Sequence, residues 1–247
     1  MFQTIDLLGV KVSRVDLALA KDHICQWIKE KARVYVCVAP ASTLVDARRD
    51  KAYRDVINGA AMVTPDGMPV VWLARHKGCK EVKRTYGPDL MRLLCQTSRL
   101  RHYFYGSTKQ VMIQLCERVK VMNPEIIIAG TFCPPYCQMA QMEDDAVIKA
   151  INDAKPDIIW VGLGSPKQDF WVAMHRRYLN APVMVGVGAA FDFLAQTKPQ
   201  APEWMRQNGL EWFFRLCSEP RRLWKRYVIG NALFIYFTIE DLFFKKS

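Results

Sequence analysis

One stretch decides the fold: residues 157–168, which read DIIWVGLGSPKQ. After the opening aspartate, residues 158–161 are apolar and either β-branched or aromatic, which is typical of a buried strand. The glycines, serine and proline that follow predict a loop. A helical pattern then runs from Gln168 to Tyr178. The sequence therefore predicts a strand, a loop of small residues and a helix, in that order.

The same pattern recurs on both sides of this stretch. Strands are predicted over 102–105, 125–129 and 183–187, and each runs into a loop that contains glycine. Helices predicted over 109–121 and 144–154 lie between them. This alternation indicates an α/β fold of the Rossmann-like type, with a parallel sheet flanked by helices. Glycines just past strand ends let a ligand approach the backbone, and helix N-termini favour phosphate.

The first hundred residues are predicted on the same grounds. The predicted elements are a hairpin or edge strand over 5–15, a helix from an N-cap at Asp16 to 31, a buried strand over 34–38, a loop over 39–43, and helices over 44–49, 50–58, 68–77 and 89–98. At the other end, the stretch KPQAP at 198–202 breaks the pattern. It divides the chain into an α/β catalytic domain, 1–197, and a helical appendage, 198–247.

Composition narrows the kinds of partner. The formal net charge of +11 on 247 residues implies an anionic partner. Three kinds of partner fit this charge: nucleic acid, a phosphorylated substrate and an acidic membrane surface. The N-terminus lacks the pattern of a secretory signal, and no apolar run reaches the roughly 18 residues that cross a bilayer. The eight cysteines show no paired C-x-x-C spacing, and none of the four histidines has metal-ligand spacing from them. We predict reduced thiols, a cytoplasmic protein and no metal site.

A single acid, Asp66, stands between Pro65 and Gly67, directly after the apolar run at 60–63. Proline fixes its own φ, and glycine permits backbone geometries that other residues resist. This pattern predicts a carboxylate presented at a sheet end, where α/β proteins bind ligands. The alternative is an ordinary turn, because Asp-Gly is also a common turn signal.

The C-terminal segment combines basic and aromatic residues. On a wheel advancing about 100° per residue, one arc is basic and the opposite arc is apolar. The basic arc holds Arg221, Arg222, Lys225 and Arg226, and the apolar arc holds Leu223, Trp224, Tyr227 and Val228. Such a helix is predicted to lie in a membrane interface. The alternative is a helix docked on the core with a solvated basic face.

Several chemistries lack their motifs. The sequence has no GxxxxGK[ST], no GxSxG and no Asp-x-Asp pair, and the glycine pairs at 162–164 and 186–188 lack the third glycine of a dinucleotide fingerprint. What remains fits the transfer of a group from a phosphorylated soluble donor to an acceptor held at a membrane. A basic nucleic-acid-binding protein and a nicotinamide-dependent oxidoreductase are the alternatives.

Seven ordered blocks carry a resemblance to a known family. They are TPDG at 64–67, RTYGPDLM at 84–91, VGLGSPKQ at 161–168, GVGAAFD at 186–192, APEW at 201–204, GLEW at 209–212 and EPRRLW at 219–224. In this order they resemble the WecG/TagA/CpsF glycosyltransferases, glycosyltransferase family 26. The likeness runs from about residue 34 to about residue 227, which is nearly the whole chain.

The resemblance implies an inverting hexosyltransferase that needs neither metal nor cofactor. It would move a sugar from a UDP-sugar to a polyprenyl-diphosphate-linked saccharide in bacterial surface-polysaccharide synthesis. The implied location is peripheral, on an anionic membrane surface at the cytoplasmic face of the inner membrane. No nucleic-acid partner is implied, and a homo-oligomer is left open.

The resemblance also implies roles for particular residues. Asp66 is the candidate general base, since a carboxylate can accept the proton of an attacking hydroxyl. The residues in blocks that line the donor cleft of the family are Thr43, Arg84, Asp89, Gly106 and Gln168. The appendage residues expected to contact a diphosphate or the membrane are Arg215, Arg221, Arg222 and Arg226. Their guanidinium groups would balance the phosphate charge in place of a metal ion.

These residues have structural alternatives. Asp89 is also suited to cap the helix after it, and Gln168 to face solvent early in a helix. Arg84 is also suited to form a surface ion pair, and Gly106 to serve a turn. The appendage arginines are also suited to form a solvated face.

The chain departs from the family pattern at one loop. It carries Pro40 and Ala41 where many family members have an asparagine. The loss of that hydrogen-bonding group leaves N-acetylmannosamine, glucose and a uronic acid derivative as alternatives for the transferred sugar.

Overall fold

A computed structural model describes residues 3–135 and 144–243. Its centre is a six-stranded sheet in which every neighbouring pair is parallel. The strands are β1 (Thr4–Leu7), β2 (Val10–Ser13), β3 (Val34–Ala39), β4 (Met62–Pro65), β5 (Arg101–Gly106), β6 (Ile127–Phe132), β7 (Ile158–Gly162) and β8 (Val183–Gly186). β1 and β2 form a separate antiparallel hairpin, and the sheet has the order β4-β3-β8-β7-β5-β6. The Rossmann-like α/β fold and the N-terminal hairpin are confirmed.

Helices cover both faces of the sheet. They are α1 (Leu17–Glu30), α2 (Ala41–Arg49), α3 (Lys51–Asn58), α4 (Met68–His76), α5 (Gly87–Cys95), α6 (Lys109–Met122), α7 (Asp145–Asp153), α8 (Lys167–His175), α9 (Ala190–Leu194), α10 (Glu203–Gln207), α11 (Glu211–Ser218), α12 (Pro220–Trp224) and α13 (Gly230–Phe243). A π-helical turn, Lys225–Ile229, joins α12 to α13. The predicted N-cap of α1 is confirmed, since the Asp16 side chain accepts from the Leu19 amide.

The core consists of two apolar layers, one on each face of the sheet. Strand β7 shows the reason, because successive side chains of a strand point to opposite faces. Ile159 and Val161 are buried in one layer, and Ile158 and Trp160 in the other. A fully buried side chain of this size stabilises the fold by about 1.5–3 kcal/mol. A strand buried on both faces leaves only its carboxyl end free to contact a ligand.

The predicted starts of two helices and one strand are wrong. Helix α2 begins at Ala41, so residues 41–43 form its first turn and not a loop; Pro40 stands at its N-cap position. Helix α5 begins at Gly87, so Asp89 lies inside the first turn and does not cap it. Strand β6 occupies 127–132 and not 125–129, because the Ile126 amide donates to the carbonyl of Asn123 in a turn that delays the strand.

The C-terminal helix, α13, docks on the core. Helix α13 packs against α2, and its Phe234 is 8% exposed. Asp241 and Lys77 pair at 2.5 Å, and Glu240 pairs with Arg48 at 3.2 Å. Within the described residues, none of the helices combines the length and apolar character that a bilayer crossing requires. The division of the chain at 197/198 stays a prediction.

The apolar arc predicted for the C-terminal helix is partly buried and partly exposed, and its place in a membrane interface stays a prediction. Leu223 is buried, whereas Trp224 and Val228 from the same predicted arc are 47% and 55% exposed. A π-helical turn follows Trp224, and its i→i+5 bonds advance each residue by less than 100°. The chain therefore presents exposed apolar side chains beside the basic ones.

Candidate active site

The candidate site lies at the carboxyl edge of the sheet, where two cavities meet at Asp66. The polar cavity, about 320 Å³, is bounded by the loops after β7 and β8 and by the segment from Lys198 to Arg226. The inner cavity, about 120 Å³, lies between the start of α4 and α11. Asp66, Tyr86, Arg215 and Arg226 line both cavities. All six strands end at this edge because they are parallel, so loops distant in sequence converge here.

The backbone holds Asp66 in place from two sides. Its amide donates to the carbonyl of Ala39 at the end of β3, at 3.2 Å, and the Thr85 amide donates to the carbonyl of Pro65 at 2.9 Å. Gly67 follows with φ +96°, a conformation that favours glycine, and turns the chain directly into α4. The turn predicted at this position is real, and it also presents the carboxylate to both cavities.

The Asp66 carboxylate is 17% exposed and lies at ion-pair distance from Arg84, without a hydrogen bond to it. Within the described part of the chain, its Oδ1 has no hydrogen-bond partner, and the nearest guanidinium nitrogen, Arg84 Nη2, is 3.6 Å away. Burial raises the pKa of Asp66 to about 6. The Arg84 charge opposes that rise, the Glu211 charge adds to it and the Arg215 charge opposes it. A carboxyl with this pKa is ionised at neutral pH and still basic enough to accept a proton.

Arg84 is held mainly by groups other than Asp66. Its Nη2 forms a short hydrogen-bonded ion pair with Glu211, and its Nη1 donates to the carbonyl of Arg206 at 3.3 Å. The guanidinium carbon lies 4.0 Å from the ring centre of Tyr86. Since the Arg84 side chain is 16% exposed, the alternative of a surface ion pair is wrong.

Gln168 fixes the loop after β7. Its Oε1 accepts from the Gly164 amide at 3.1 Å, and its Nε2 donates to Ser165 Oγ at 3.3 Å. The residue is 2% exposed and lines the polar cavity, so the solvent-facing alternative is wrong. A buried glutamine between two glycine-bearing loops orders the backbone amides that face the cavity.

Three of the predicted donor-cleft residues lie behind the cavity walls. Gly106 has φ +117°, and a Cβ there would lie 2.8 Å from the backbone of Gly162, so it permits β5 and β7 to end side by side. Thr43 is 1% exposed on α2. Asp89 pairs with Arg92 at 2.8 Å and with Arg206 at 3.7 Å. These residues shape or support the site, and none of them lines either cavity.

The appendage arginines divide into two groups. Arg215, Arg222 and Arg226 line the polar cavity, whereas Arg221 is exposed and lies outside it. Arg222 pairs with Glu219 at 2.6 Å. Within residues 3–135 and 144–243, neither Arg215 nor Arg226 forms an ion pair; Arg226 donates to Ser42 Oγ at 2.9 Å, and Arg215 lies over the ring of Phe193. Two guanidinium groups that form no close ion pair among the described residues make this cavity suited to an anion.

Other site residues were not predicted from the sequence. Tyr86, Lys198, Glu211, Trp212 and Tyr227 all line one or both cavities. Tyr86, Glu211 and Trp212 lie in the blocks that carry the resemblance, which was the available signal. Among the described residues, no three histidine, cysteine, aspartate or glutamate side chains are grouped so that they could hold a metal ion.

An apolar groove continues from the inner cavity. It runs between α4 and α13, has a volume of about 740 Å³ and shares Pro69, Trp212, Tyr227 and Asn231 with the inner cavity. Its further walls are formed by Trp72, Leu73, Phe234, Ile235 and Leu242. The polar cavity, the inner cavity beside Asp66 and the apolar groove are therefore contiguous.

A polar cavity and an acid at the carboxyl edge of a parallel sheet are compatible with a group-transfer enzyme, and comparison with known proteins defines the class: the chain is a glycosyltransferase that transfers a hexose. It belongs to the WecG/TagA/CpsF glycosyl transferase family, whose model matches residues 5–247. The resemblance carried by the seven blocks is confirmed. Membership decides against the nucleic-acid-binding and oxidoreductase alternatives.

Two relatives show how far the likeness extends. The N-acetylglucosaminyldiphosphoundecaprenol N-acetyl-beta-D-mannosaminyltransferase of Bacillus subtilis (strain 168) is 30% identical over 203 residues, which are 81% of this chain and 77% of the relative. The enzyme of the same name from Staphylococcus aureus (strain MW2) is 26% identical over 227 residues, which are 90% of this chain and 86% of the relative. The similarity therefore includes both the sheet and the C-terminal segment.

Proposed function

We propose that this protein transfers a sugar, with inversion and without a metal ion, from a UDP-sugar to the saccharide of a polyprenyl diphosphate. The observation that carries the proposal is the position of Asp66, whose carboxylate lies where the polar cavity meets the inner cavity. The relatives are named as N-acetylmannosaminyltransferases that act on N-acetylglucosaminyldiphosphoundecaprenol. N-Acetylmannosamine is therefore the first sugar to test.

The polar cavity is proposed to hold the donor. Its volume lies within the range of about 300–1,000 Å³ that is usual for small-molecule sites. The loop after β7 lines this cavity and leads into the N-terminus of α8, the end of a helix whose dipole favours phosphate. Arg215 and Arg226, neither of which forms a close ion pair with a carboxylate in the described part of the chain, would balance the diphosphate as UDP departs.

Asp66 is proposed as the general base. In the transfer, an acceptor hydroxyl oxygen attacks the anomeric carbon while the bond from that carbon to the UDP oxygen breaks. Asp66 takes the hydroxyl proton, and UDP leaves with the bonding electron pair. Attack from the inner cavity comes from the side opposite a diphosphate held in the polar cavity, so the anomeric configuration inverts.

The inner cavity and the apolar groove are proposed to hold the acceptor. A saccharide in the inner cavity would place its hydroxyl beside Asp66, and the polyprenyl chain would extend along the groove between α4 and α13. Apolar walls favour such a chain because its burial removes hydrocarbon from water.

A peripheral position at the cytoplasmic membrane face is proposed for the C-terminal segment. Trp224, Val228 and Ile229 are exposed next to the exposed Arg221 and Lys225. Exposed apolar residues enter the lipid interface, and adjacent cations contact anionic headgroups. Arg221, which lies outside the polar cavity, fits this role better than contact with the donor.

The pH dependence of turnover should report the ionisation of Asp66. Because burial raises the pKa of this carboxyl to about 6, the base is protonated and inactive below that pH. We expect kcat/KM to rise with pH and to reach half of its plateau near pH 6. Initial rates in a buffer series of constant ionic strength measure this rising part of the pH profile, the acid limb. A limb centred near pH 4, the usual range of a carboxyl group, would contradict the burial argument.

The donor and the acceptor can be identified directly. A panel of UDP-sugars, offered with polyprenyl-diphosphate-linked N-acetylglucosamine, should give one lipid product whose mass rises by a single hexose-type residue. The same turnover is expected with a chelator present. Absence of a product with every UDP-sugar, or turnover that vanishes on chelation and returns with magnesium, would overturn the proposal.

A further inference from the structure

Next to the proposed base lies a charge arrangement that the family assignment does not explain. One guanidinium, that of Arg84, stands between two carboxylates, those of Asp66 and Glu211. All three side chains are less than 20% exposed. A single cation brings one positive charge to two acids, so its position decides how the stabilisation is divided between them.

The contacts of Arg84 are asymmetric. Its Nη2 is hydrogen-bonded to Glu211 but lies 3.6 Å from Asp66 Oδ1, which is beyond hydrogen-bond distance. Glu211 is itself fixed, because the Tyr86 hydroxyl donates to its Oε1 at 2.7 Å. The Tyr86 ring also packs against the guanidinium that Glu211 holds.

We infer that Glu211 is a positioning residue: its carboxylate holds the Arg84 guanidinium at the longer ion-pair distance from Asp66 and keeps it from forming a direct hydrogen bond with that carboxylate. The inference rests on the proposed role of Asp66 as the base. A carboxylate in a close, hydrogen-bonded pair with arginine is stabilised in its charged form and accepts protons poorly. Glu211 therefore leaves Asp66 with one carboxylate oxygen that accepts no hydrogen bond among the described residues, and with a proton affinity suited to the proposed base.

The other charges around Asp66 are consistent with this role. Glu211 and Asp89 raise the pKa of Asp66, and Arg84 and Arg215 lower it. Tyr86 and Tyr227, from the two sides of the inner cavity, also lie near this cluster. Loss of the Glu211 charge would leave two arginines opposed by Asp89 alone, and it would release Arg84 toward Asp66.

Glu211 also links two parts of the chain. It stands at the start of α11, whereas Asp66 and Arg84 belong to the segment between β4 and α5. The carbonyl of Arg206, at the end of α10, accepts from Arg84 as well. The environment of the base therefore depends on how the α10–α11 segment is seated.

The test is the pH profile of kcat/KM in the full-length variants Glu211→Gln and Glu211→Asp. Glutamine has no charge to hold Arg84, so we expect the acid limb to move about one unit below that of the wild type, with kcat reduced about three- to tenfold. Aspartate keeps the charge but is one methylene shorter, so a smaller shift in the same direction is expected. The KM for the UDP-sugar should change little in either variant.

Glu203→Gln is the matched control, since it removes an exposed carboxylate from the neighbouring α10 and should leave the limb unmoved. If Glu211 only supported the fold, its variants would lose thermal stability and rate without any shift of the limb, and that result would overturn the inference. Should the glutamine variant fail to fold, the aspartate variant decides on the same criterion. The proposed function fails separately, if the wild type shows no acid limb near pH 6 or Asp66→Asn stays active.

Discussion

Replacing Asp66 by asparagine is expected to lower kcat by on the order of 10²-fold or more, the usual scale for the loss of a general base. Asparagine has the same shape but cannot take the proton of the acceptor hydroxyl. Donor affinity should be retained, because the proposed phosphate contacts come from Arg215 and Arg226. Single-turnover rates with saturating donor, together with calorimetric titration of UDP, measure the two quantities separately.

The same variant carries its own stability control. The pKa of Asp66 is raised in the folded protein, so its ionised form is disfavoured by folding, and that cost appears as pH rises from about 4 toward 6 and above. Asparagine removes the cost, so the midpoint of thermal unfolding at pH 8 should stay equal or increase. A variant that retains a tenth or more of wild-type turnover would remove Asp66 from the role of base.

Arg215→Ala is expected to lower kcat by about 10²–10³-fold, as for the loss of one group that stabilises charge in a transition state. Arg215 lines both cavities and forms no close ion pair among the described residues. Its charge is therefore available for the negative charge that would develop on the proposed leaving group, UDP. Steady-state kinetics should show a larger change in kcat than in the KM for the donor.

Arg177→Ala is the charge-matched control, since this exposed residue lies after α8 and away from both cavities. It should behave as the wild type does. Arg215→Lys keeps the charge and should recover part of the lost rate, although lysine cannot form a two-pronged contact with a diphosphate. Equal loss in the lysine and alanine variants would argue that Arg215 acts through packing on Phe193 and not through charge.

The periodicity of the sequence predicts most of the sheet. Strand β7 was predicted to within a residue because an uninterrupted apolar run bounded by glycine has few other interpretations. The placement of Asp66 was predictable for the same reason, as it follows a buried strand directly. The start of α2 was missed because Ala41 to Thr43 carry no capping signal beyond the preceding Pro40.

Contacts between distant segments could not be predicted in this way. Glu211 meets Arg84 across 127 positions of sequence, and no spacing rule refers to such a pair. The π-helical turn Lys225–Ile229 was not predicted, because nothing local to those residues announces it. Helix α13 likewise packs against α2, although the two helices lie far apart in the sequence.

The order in which the site's parts are translated has a consequence for biosynthesis. Strand β8 ends at Gly186, whereas Lys198, Arg215, Arg222 and Arg226 of the polar cavity all follow it. A chain still emerging from the ribosome can complete its sheet before any of these cations is available. Newly made protein would therefore lack the cations of the proposed donor site until the chain as far as Arg226 has emerged and folded.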